Sequence, residues 1–160
     1  MGINILNPST SLTERGSVNC TWTPAASAHT ALDSIGGAAT LTFPAECTGR
    51  IISLRGYTFS IATTTPITTV YTAFLFSSTP TVIADDEAFV IAAADGAKLA
   101  GGPVAIAQPT DYTSTWQLAA ALIAGQPIEL STNVLTAYLQ HTTGVTTEAV
   151  AFKLTLFYDY

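Results

Sequence analysis

The C-terminal residues 148–160, EAVAFKLTLFYDY, show the clearest structural pattern in the chain. Every second residue is apolar, and side chains of a strand point to opposite sides in turn, so the apolar residues share one face. That face carries Val150, Phe152, Leu154, Leu156 and Tyr158, and the other face carries Ala149, Ala151, Lys153, Thr155 and Asp159. The pattern predicts a strand with one side buried in a core.

The residues before this strand predict a partner for it. Residues 134–142 (VLTAYLQHT) are strand-like, and residues 143–147 (TGVTT) have the length and composition of a tight turn. We therefore expect an antiparallel C-terminal hairpin. By the same reasoning, further strands are predicted at residues 17–22, 39–43, 50–61, 67–76 and 104–107 and, although its Ala and Leu content also suits a helix, at 116–124.

Short apolar segments separated by turn residues dominate the whole chain. The glycine pairs at residues 36–37 and 101–102 are expected to be turns, because they lack the lysine and the strand-to-helix context of phosphate-binding loops. Thr and Ser make up about a quarter of the chain, a composition that favours strands over helices. The sequence predicts an all-β fold, an antiparallel β-sandwich, with residues 17–160 as one domain and residues 1–16 as an extended N-terminal arm.

The charge distribution excludes one large class of partners. Only 10% of the 160 residues are charged, and the formal net charge is −6. The five Lys and Arg residues are spread along the sequence, so there is no basic stripe that could neutralise a nucleic-acid backbone. We expect no nucleic-acid partner.

No targeting or membrane signal is visible in the sequence. No stretch approaches the roughly 20 apolar residues needed to span a bilayer, and the start, MGINILNPSTSL, lacks the basic and apolar regions of a secretion signal. We expect synthesis in a cytosol and no membrane partner. In such a compartment Cys20 and Cys47 are expected to be buried reduced thiols, with a disulfide between them as the less favoured alternative.

Three consecutive acids, Asp85, Asp86 and Glu87, are the most conspicuous charged feature. Asp85 is suited to cap a helix N-terminus, the other two acids complement the helix dipole, and Gly96 can end the helix. This interpretation predicts one short helix near residues 86–94. The alternative, a catalytic or cation-binding cluster, is disfavoured because adjacent acids do not converge on a sugar and a calcium loop needs alternating ligands.

Other candidates for chemistry are weaker. His29 and His141 are the only histidines and lie outside any metal-binding spacing, and His141 is expected at a surface or interface. Trp22, Trp116 and the tyrosines fit a core or a subunit interface better than a sugar-stacking platform. We predict no catalytic, cofactor-binding or metal-binding residues, and no enzyme activity.

The run TAFLFSSTPTVIADDEAF at residues 72–89 resembles a segment of virion structural proteins of tailed phages. The matching positions are Phe74-Leu75-Phe76, Pro80, Ala84-Asp85 and Ala88-Phe89. The C-terminal residues 135–160 are similar to the ending of those proteins. The resemblance covers most of residues 50–160, and the chain departs from it at Glu87 and Val90-Ile91.

The resemblance implies a small, jelly-roll-like β-sandwich in a bacteriophage virion, assembled in the cytoplasm of the host bacterium. The most plausible role is a capsid decoration or cement protein that binds between major capsid subunits as a homotrimer or homodimer. The N-terminal arm is expected to reach onto the capsid. Two alternatives stay open: a tail, baseplate or fibre-associated subunit, and a carbohydrate-binding adhesion module.

Overall fold

The computed structural model describes residues 15–26, 28–63, 69–112, 117–143, 145–146 and 149–160. Strands dominate this part of the chain, and among the described residues no helix is long and apolar enough to cross a membrane. In chain order the strands are β1 (Arg15–Trp22), β2 (Ala28–His29), β3 (Ser34–Thr42), β4 (Arg50–Ile61), β5 (Tyr71–Phe76), β6 (Val104–Ile106), β7 (Asp111–Tyr112), β8 (Gln117–Leu130), β9 (Val134–His141), β10 (Val145–Thr146) and β11 (Phe152–Asp159).

Two antiparallel sheets pack face to face. Sheet I has the strand order β1-β11-β4-β8-β7, and sheet II has the order β3-β9-β5-β6. If the short strands β2, β7 and β10 are left aside, sheet I contains the first, eighth, third and sixth strands, and sheet II the second, seventh, fourth and fifth. This is the strand order of a jelly roll, in which the chain repeatedly crosses from one sheet to the other. The predicted all-β sandwich is confirmed.

The core between the sheets follows from the alternation in each strand. In β11, Phe152, Leu154, Leu156 and Tyr158 are buried, as the sequence pattern predicted. Tyr71 of sheet II packs against two rings of sheet I, with centroid distances of 5.1 Å to Phe59 and 5.9 Å to Phe152. Aromatic contacts of this kind add to the hydrophobic stabilisation, so these three rings help to hold the two sheets together.

A second hydrophobic cluster lies on the outer face of sheet II. It forms where residues 77–99, called the cover segment below, fold back over β5 and β9. Phe89 stacks on Phe74 with ring centroids 4.6 Å apart, and Tyr138 and Phe76 are each 1% exposed beneath the segment. The outer face of sheet II is therefore buried and forms a second hydrophobic core.

The predicted C-terminal hairpin is wrong. β9 pairs with β3 and β5 in sheet II, whereas β11 pairs with β1 and β4 in sheet I. The connection between them crosses the sandwich, and its residues Val145–Thr146 pair with Ala28–His29. Turn-like composition between two strands does not distinguish a reversal within one sheet from a crossing between sheets.

The predicted helix at residues 86–94 is also absent, and the local helical structure is a 3₁₀ turn at Ala93–Lys98. Asp86 adopts a left-handed backbone conformation, with a φ of 62°, that a right-handed helix does not tolerate. Residues 86–89 instead extend along the free edge of β3, where Asp33 pairs with Ala88. Hydrogen bonding to a distant strand outweighs the local preference of the acids for a helix start.

Gly36 and Gly37 form a bulge within β3 rather than a turn between strands. The pairing of β3 with β9 shifts register between Ile35 and Ala38, and both glycines have positive φ, at 72° and 65°. A side chain on Gly36 would also approach the Trp22 Cβ to 2.8 Å. The bulge therefore requires glycine for both backbone conformation and space.

The remaining boundaries are close to those predicted from the sequence. Residues 117–124 are strand, within a β8 that continues to Leu130, and Val104–Ile106 forms β6. Arg15 and Gly16, assigned to the N-terminal arm from the sequence, are the first residues of β1, and residues 1–14 lie outside the described part of the chain.

Candidate functional site

Asp85 is held where the cover segment meets the bulge of β3. The backbone N–H of Ala25 donates to its Oδ2 over 2.6 Å, and that of Gly36 donates to its Oδ1 over 2.7 Å. The Nε2 of His29 lies 3.0 Å from the same Oδ1. The Asp85 carboxylate thus joins the cover segment to Ala25, His29 and Gly36, whereas the sequence predicted that it caps a helix.

The electrostatics of Asp85 match this structural role. Partial burial alone would raise its pKa, but the hydrogen bonds from His29, Gly36 and Ala25 outweigh that effect, and the pKa of Asp85 lies below its ordinary value. The side chain of its partner His29 is 0% exposed. An ionised carboxylate saturated with hydrogen bonds, beside a fully buried imidazole, is poorly placed to exchange protons with a substrate.

His141 is buried, so the prediction of a surface position is wrong. Its Nδ1 bonds to the carbonyl oxygen of Thr143, which can only accept, and its ring meets that of His29 edge-on at a centroid distance of 5.9 Å. Its Nε2 is buried without a hydrogen-bond partner. Burial lowers the pKa of His141, so the ring is neutral near pH 7.

Of the other residues singled out from the sequence, Glu87 and Trp22 make contacts within the fold. Asp86 and Glu87 are exposed beside Asp85, and Glu87 accepts a hydrogen bond from the Ala84 N–H. Trp22 is 1% exposed in the core, which agrees with the predicted core position, whereas Trp116 lies outside the described residues. Across the described ranges, no three His, Cys, Asp or Glu side chains are arranged to hold a metal ion.

Cys20 and Cys47 are both buried thiols, as predicted for a reducing compartment. Burial raises the pKa of the Cys20 thiol to about 12, so this side chain stays protonated and unreactive at neutral pH. Both cysteines belong to the hydrophobic core between the two sheets.

The outer face of sheet I differs from the covered outer face of sheet II, because it carries exposed apolar side chains. Phe157, Gly56 and Leu122 are cross-strand neighbours on β11, β4 and β8. Leu122 is 94% exposed and Phe157 is 41% exposed, while Gly56 between them has no side chain. A Cβ at Gly56 would come within 2.8 Å of the Ala121 carbonyl oxygen, so this position stays a depression between two apolar ridges.

A cleft with a volume of about 620 Å³ lies beside this depression, and we define it by six of its lining residues: Arg15, Arg55, Leu122, Ile123, Phe157 and Asp159. The cleft lies at an irregular bulge of β8, in which the three residues 123–125 lie opposite the single residue Arg55 of β4. Gly125 permits this bulge with a φ of 69°.

Two arginines share one carboxylate in the cleft. The Nε of Arg55 donates to the Oδ2 of Asp159 over 2.5 Å, and the Nε of Arg15 lies 3.7 Å from the Oδ1. The Arg15 and Arg55 side chains are 87% and 56% exposed, while that of Asp159 is 9% exposed. The cleft therefore presents guanidinium donors and apolar surface to an incoming group.

The sequence interpretation missed this surface, although one signal for it was present. In β11, Phe157 lies among the outward-facing residues with Lys153 and Thr155, and it is the one large apolar side chain of that set. An aromatic residue on the solvent side of a strand indicates a contact surface where other exposed apolar residues adjoin it. Leu122 gave no such signal, because the composition of residues 116–124 also suited a helix.

No protein-family model matches the chain, and no curated protein matches it significantly.

Proposed function

We propose that this protein is a structural subunit of a tailed-phage virion, namely a capsid decoration protein that binds between major capsid subunits and stabilises the head. The observation that carries the proposal is the bare outer face of sheet I, where Leu122 and Phe157 flank a cleft with two exposed arginines. Contiguous apolar surface that a chain leaves uncovered is characteristic of protein contacts.

The fold is compatible with this function without selecting it. Jelly rolls occur in viral capsid proteins and also in lectins, so fold alone supports both virion and carbohydrate-binding roles. The resemblance of residues 72–89 and 135–160 to phage virion proteins favours the first of these roles.

The exposed surface also favours protein contacts over sugar binding. Sugar-binding platforms use exposed Trp or Tyr rings, whereas Trp22, Tyr57, Tyr71, Tyr138 and Tyr158 are buried and the half-buried Tyr160 is engaged by Arg50 and Glu46. Phe157 is the exposed aromatic residue of the described part of the chain, and it has no hydrogen-bonding group for a sugar. The carbohydrate-binding alternative is therefore the weaker one.

The polar residues support a structural rather than a catalytic role. Asp85, which contacts the His29 imidazole and the Gly36 N–H, holds the cover segment against β3. We therefore assign the chain no enzymatic activity.

Decoration of a shell needs only modest contacts per copy. Each apolar Å² buried contributes about 25 cal/mol, so a contact around the cleft resists the separation of neighbouring capsid subunits. Because many copies bind one shell, small contributions add to a large stabilisation of the particle. A subunit with few charges and an apolar contact face suits this role.

Quantitative mass spectrometry of virions, purified from the strain that carries the gene, tests the proposal. We expect this chain in a simple numerical ratio to the major capsid protein. A much smaller copy number would replace the decoration role with the tail, baseplate or fibre alternative. Absence of the chain from purified particles would overturn the virion assignment.

A further inference from the structure

The charges of the exposed side chains are segregated on the molecule. Of the five Lys and Arg residues in the chain, four lie on the strands of sheet I, namely Arg15, Arg50, Arg55 and Lys153. Asp159, the acid in the cleft lining, is 9% exposed and already engaged by Arg15 and Arg55, whereas the exposed Glu129 of β8 lies outside that lining. The cleft side of sheet I is therefore locally cationic in a chain whose net charge is −6.

A complementary surface lies along the free edge of β3. Residues 82–90, called the acidic edge below, expose the carboxylates of Asp86 and Glu87. Val82 and Val90, at the two ends of this segment, are 74% and 70% exposed. The acidic edge thus combines anionic groups with apolar side chains, as the cleft combines cationic groups with Leu122 and Phe157.

The acidic edge is a fixed structure that can present this surface. Ser34 exchanges backbone hydrogen bonds with it, donating to the Glu87 carbonyl over 2.9 Å and accepting from the Asp86 N–H over 3.1 Å. Ile83 and Phe89 anchor it in the second hydrophobic cluster, and Asp85 ties it to the β3 bulge. A partner that binds the exposed side chains would meet a preorganised segment.

We propose that the cleft of one copy binds the acidic edge of a second copy, so that the protein self-associates head to tail. The exposed carboxylates of Asp86 and Glu87 then approach the guanidinium groups of Arg15 and Arg55. Val82 or Val90 packs against Leu122 and Phe157 in the same contact. Each copy offers one cleft and one acidic edge, so the contact is heterologous and closes into a ring or continues as a chain.

The charge pattern argues against the symmetric alternative. A dimer that joined two sheet I faces would bring Arg15, Arg55 and Lys153 of one copy towards the same residues of the other. Like charges placed opposite each other oppose association, whereas the head-to-tail arrangement pairs opposite charges. Complementary potentials therefore select the acidic edge, not a second sheet I face, as the occupant of the cleft.

This inference concerns the same cleft as the proposed function, so the cleft of any one copy binds either an acidic edge or a capsid subunit, and self-association does not require a virion. It rests on surfaces within one chain and is tested on the purified protein alone. Absence of the chain from virions would overturn the proposed function and leave self-association standing, and the reverse also holds.

Sedimentation velocity of the full chain over a range of concentrations tests the proposal. We expect concentration-dependent association of the wild type and a monomer for Leu122→Glu. Ile51→Glu is the matched control, because Ile51 is 69% exposed on β4 but lies outside the cleft. It adds the same charge to the same sheet and should associate like the wild type. Thermal melting confirms that both variants are folded.

A charge exchange identifies the occupant. Arg15→Glu and Glu87→Lys should each weaken association by at least about tenfold, because each places like charges across the contact. The double variant, Arg15→Glu with Glu87→Lys, again places opposite charges across the contact and should recover much of the lost association. A monomeric wild type at every soluble concentration, unchanged association of Leu122→Glu, or a double variant no better than either single one would overturn the proposal.

Discussion

The outer faces of the two sheets are built from similar strands, but a segment of the chain covers the face of sheet II and leaves apolar side chains on sheet I exposed. On sheet II, Tyr138 and Phe76 are each 1% exposed, because residues 77–99 fold over them. On sheet I, Leu122 is 94% exposed and Phe157 is 41% exposed. Apolar side chains on the first face stabilise the monomer, whereas those on the second are available to a partner.

In this small sandwich, one outer face contributes to the stability of the fold and the other is available for assembly. The cover segment completes the fold without using the cleft, so the contact face can remain apolar and partly cationic without loss of the core. Substitutions beneath the cover segment on sheet II should therefore lower the stability of the fold, whereas substitutions on the outer face of sheet I should weaken association.

Phe76→Ala should destabilise the fold most. The substitution removes a buried ring beneath the cover segment, and comparable changes cost about 3–5 kcal/mol. Urea unfolding followed by circular dichroism measures the change in the free energy of unfolding. A cost below about 1 kcal/mol would show that the cover segment does not pack on sheet II as described.

Asp85→Ala should have the next largest effect. It removes the acceptor of two backbone N–H groups and one imidazole, and a cost of about 2–3 kcal/mol is expected for lost bonds to a charged group. Asp86→Asn is the matched control, because Asp86 is exposed and Asn tolerates its left-handed conformation. If the neighbouring Asp86 variant lost as much stability, the network around Asp85 would not be the cause.

Acid should loosen the cover segment. The side-chain hydrogen bond from Lys98 and the bonds from Thr81 lower the pKa of Asp95 to about 2, and the pKa of Asp85 is also lowered. The ionised forms stabilise the fold, so this contribution is complete above the ordinary Asp pKa of about 3.9 and is lost as the pH falls through the lowered value. Urea unfolding at pH 5 and pH 3 should show this loss, and Asp95→Asn should show less of it. Equal pH dependence in both proteins would contradict the assignment.

Leu122→Ala should change stability least. The side chain is almost fully exposed, and substitutions at such positions usually alter the free energy of unfolding by about 0.5 kcal/mol or less. Its effect belongs to association, so the same variant should weaken assembly in a sedimentation experiment. A strongly destabilised Leu122→Ala would mean that this side chain is part of the fold.

Local sequence patterns predicted the strands well and the connections poorly. The alternation of apolar residues in β11 was sufficient, because a strand with one buried face needs no information from elsewhere in the chain. The connection between β9 and β11 was misassigned because the choice of sheet depends on pairing with β3 and β1. The helix expected at Asp86 failed because Asp85 binds Ala25 and Gly36, which are remote in sequence.

The candidate surface was less predictable than the fold. Phe157 could have been noticed as an aromatic residue among polar neighbours, but the cleft beside it lies at the bulge opposite Arg55. Bulges are set by long-range strand register, which local composition does not reveal. The burial of His141 could have been predicted, because the alternation in β9 places it on the same face as the buried Leu135, Ala137 and Leu139.

Cysteine labelling of assembled particles tests most directly whether the bare face of sheet I is the contact surface. The two native cysteines are buried, at 4% and 0% exposure, so a cysteine introduced at residue 122 is the accessible one. We expect Leu122→Cys to react rapidly with a thiol reagent in the dissociated protein and slowly in the particle. Val134→Cys, on β9 of sheet II, should react similarly in both states. Equal labelling of Leu122→Cys in particle and free protein would contradict the account.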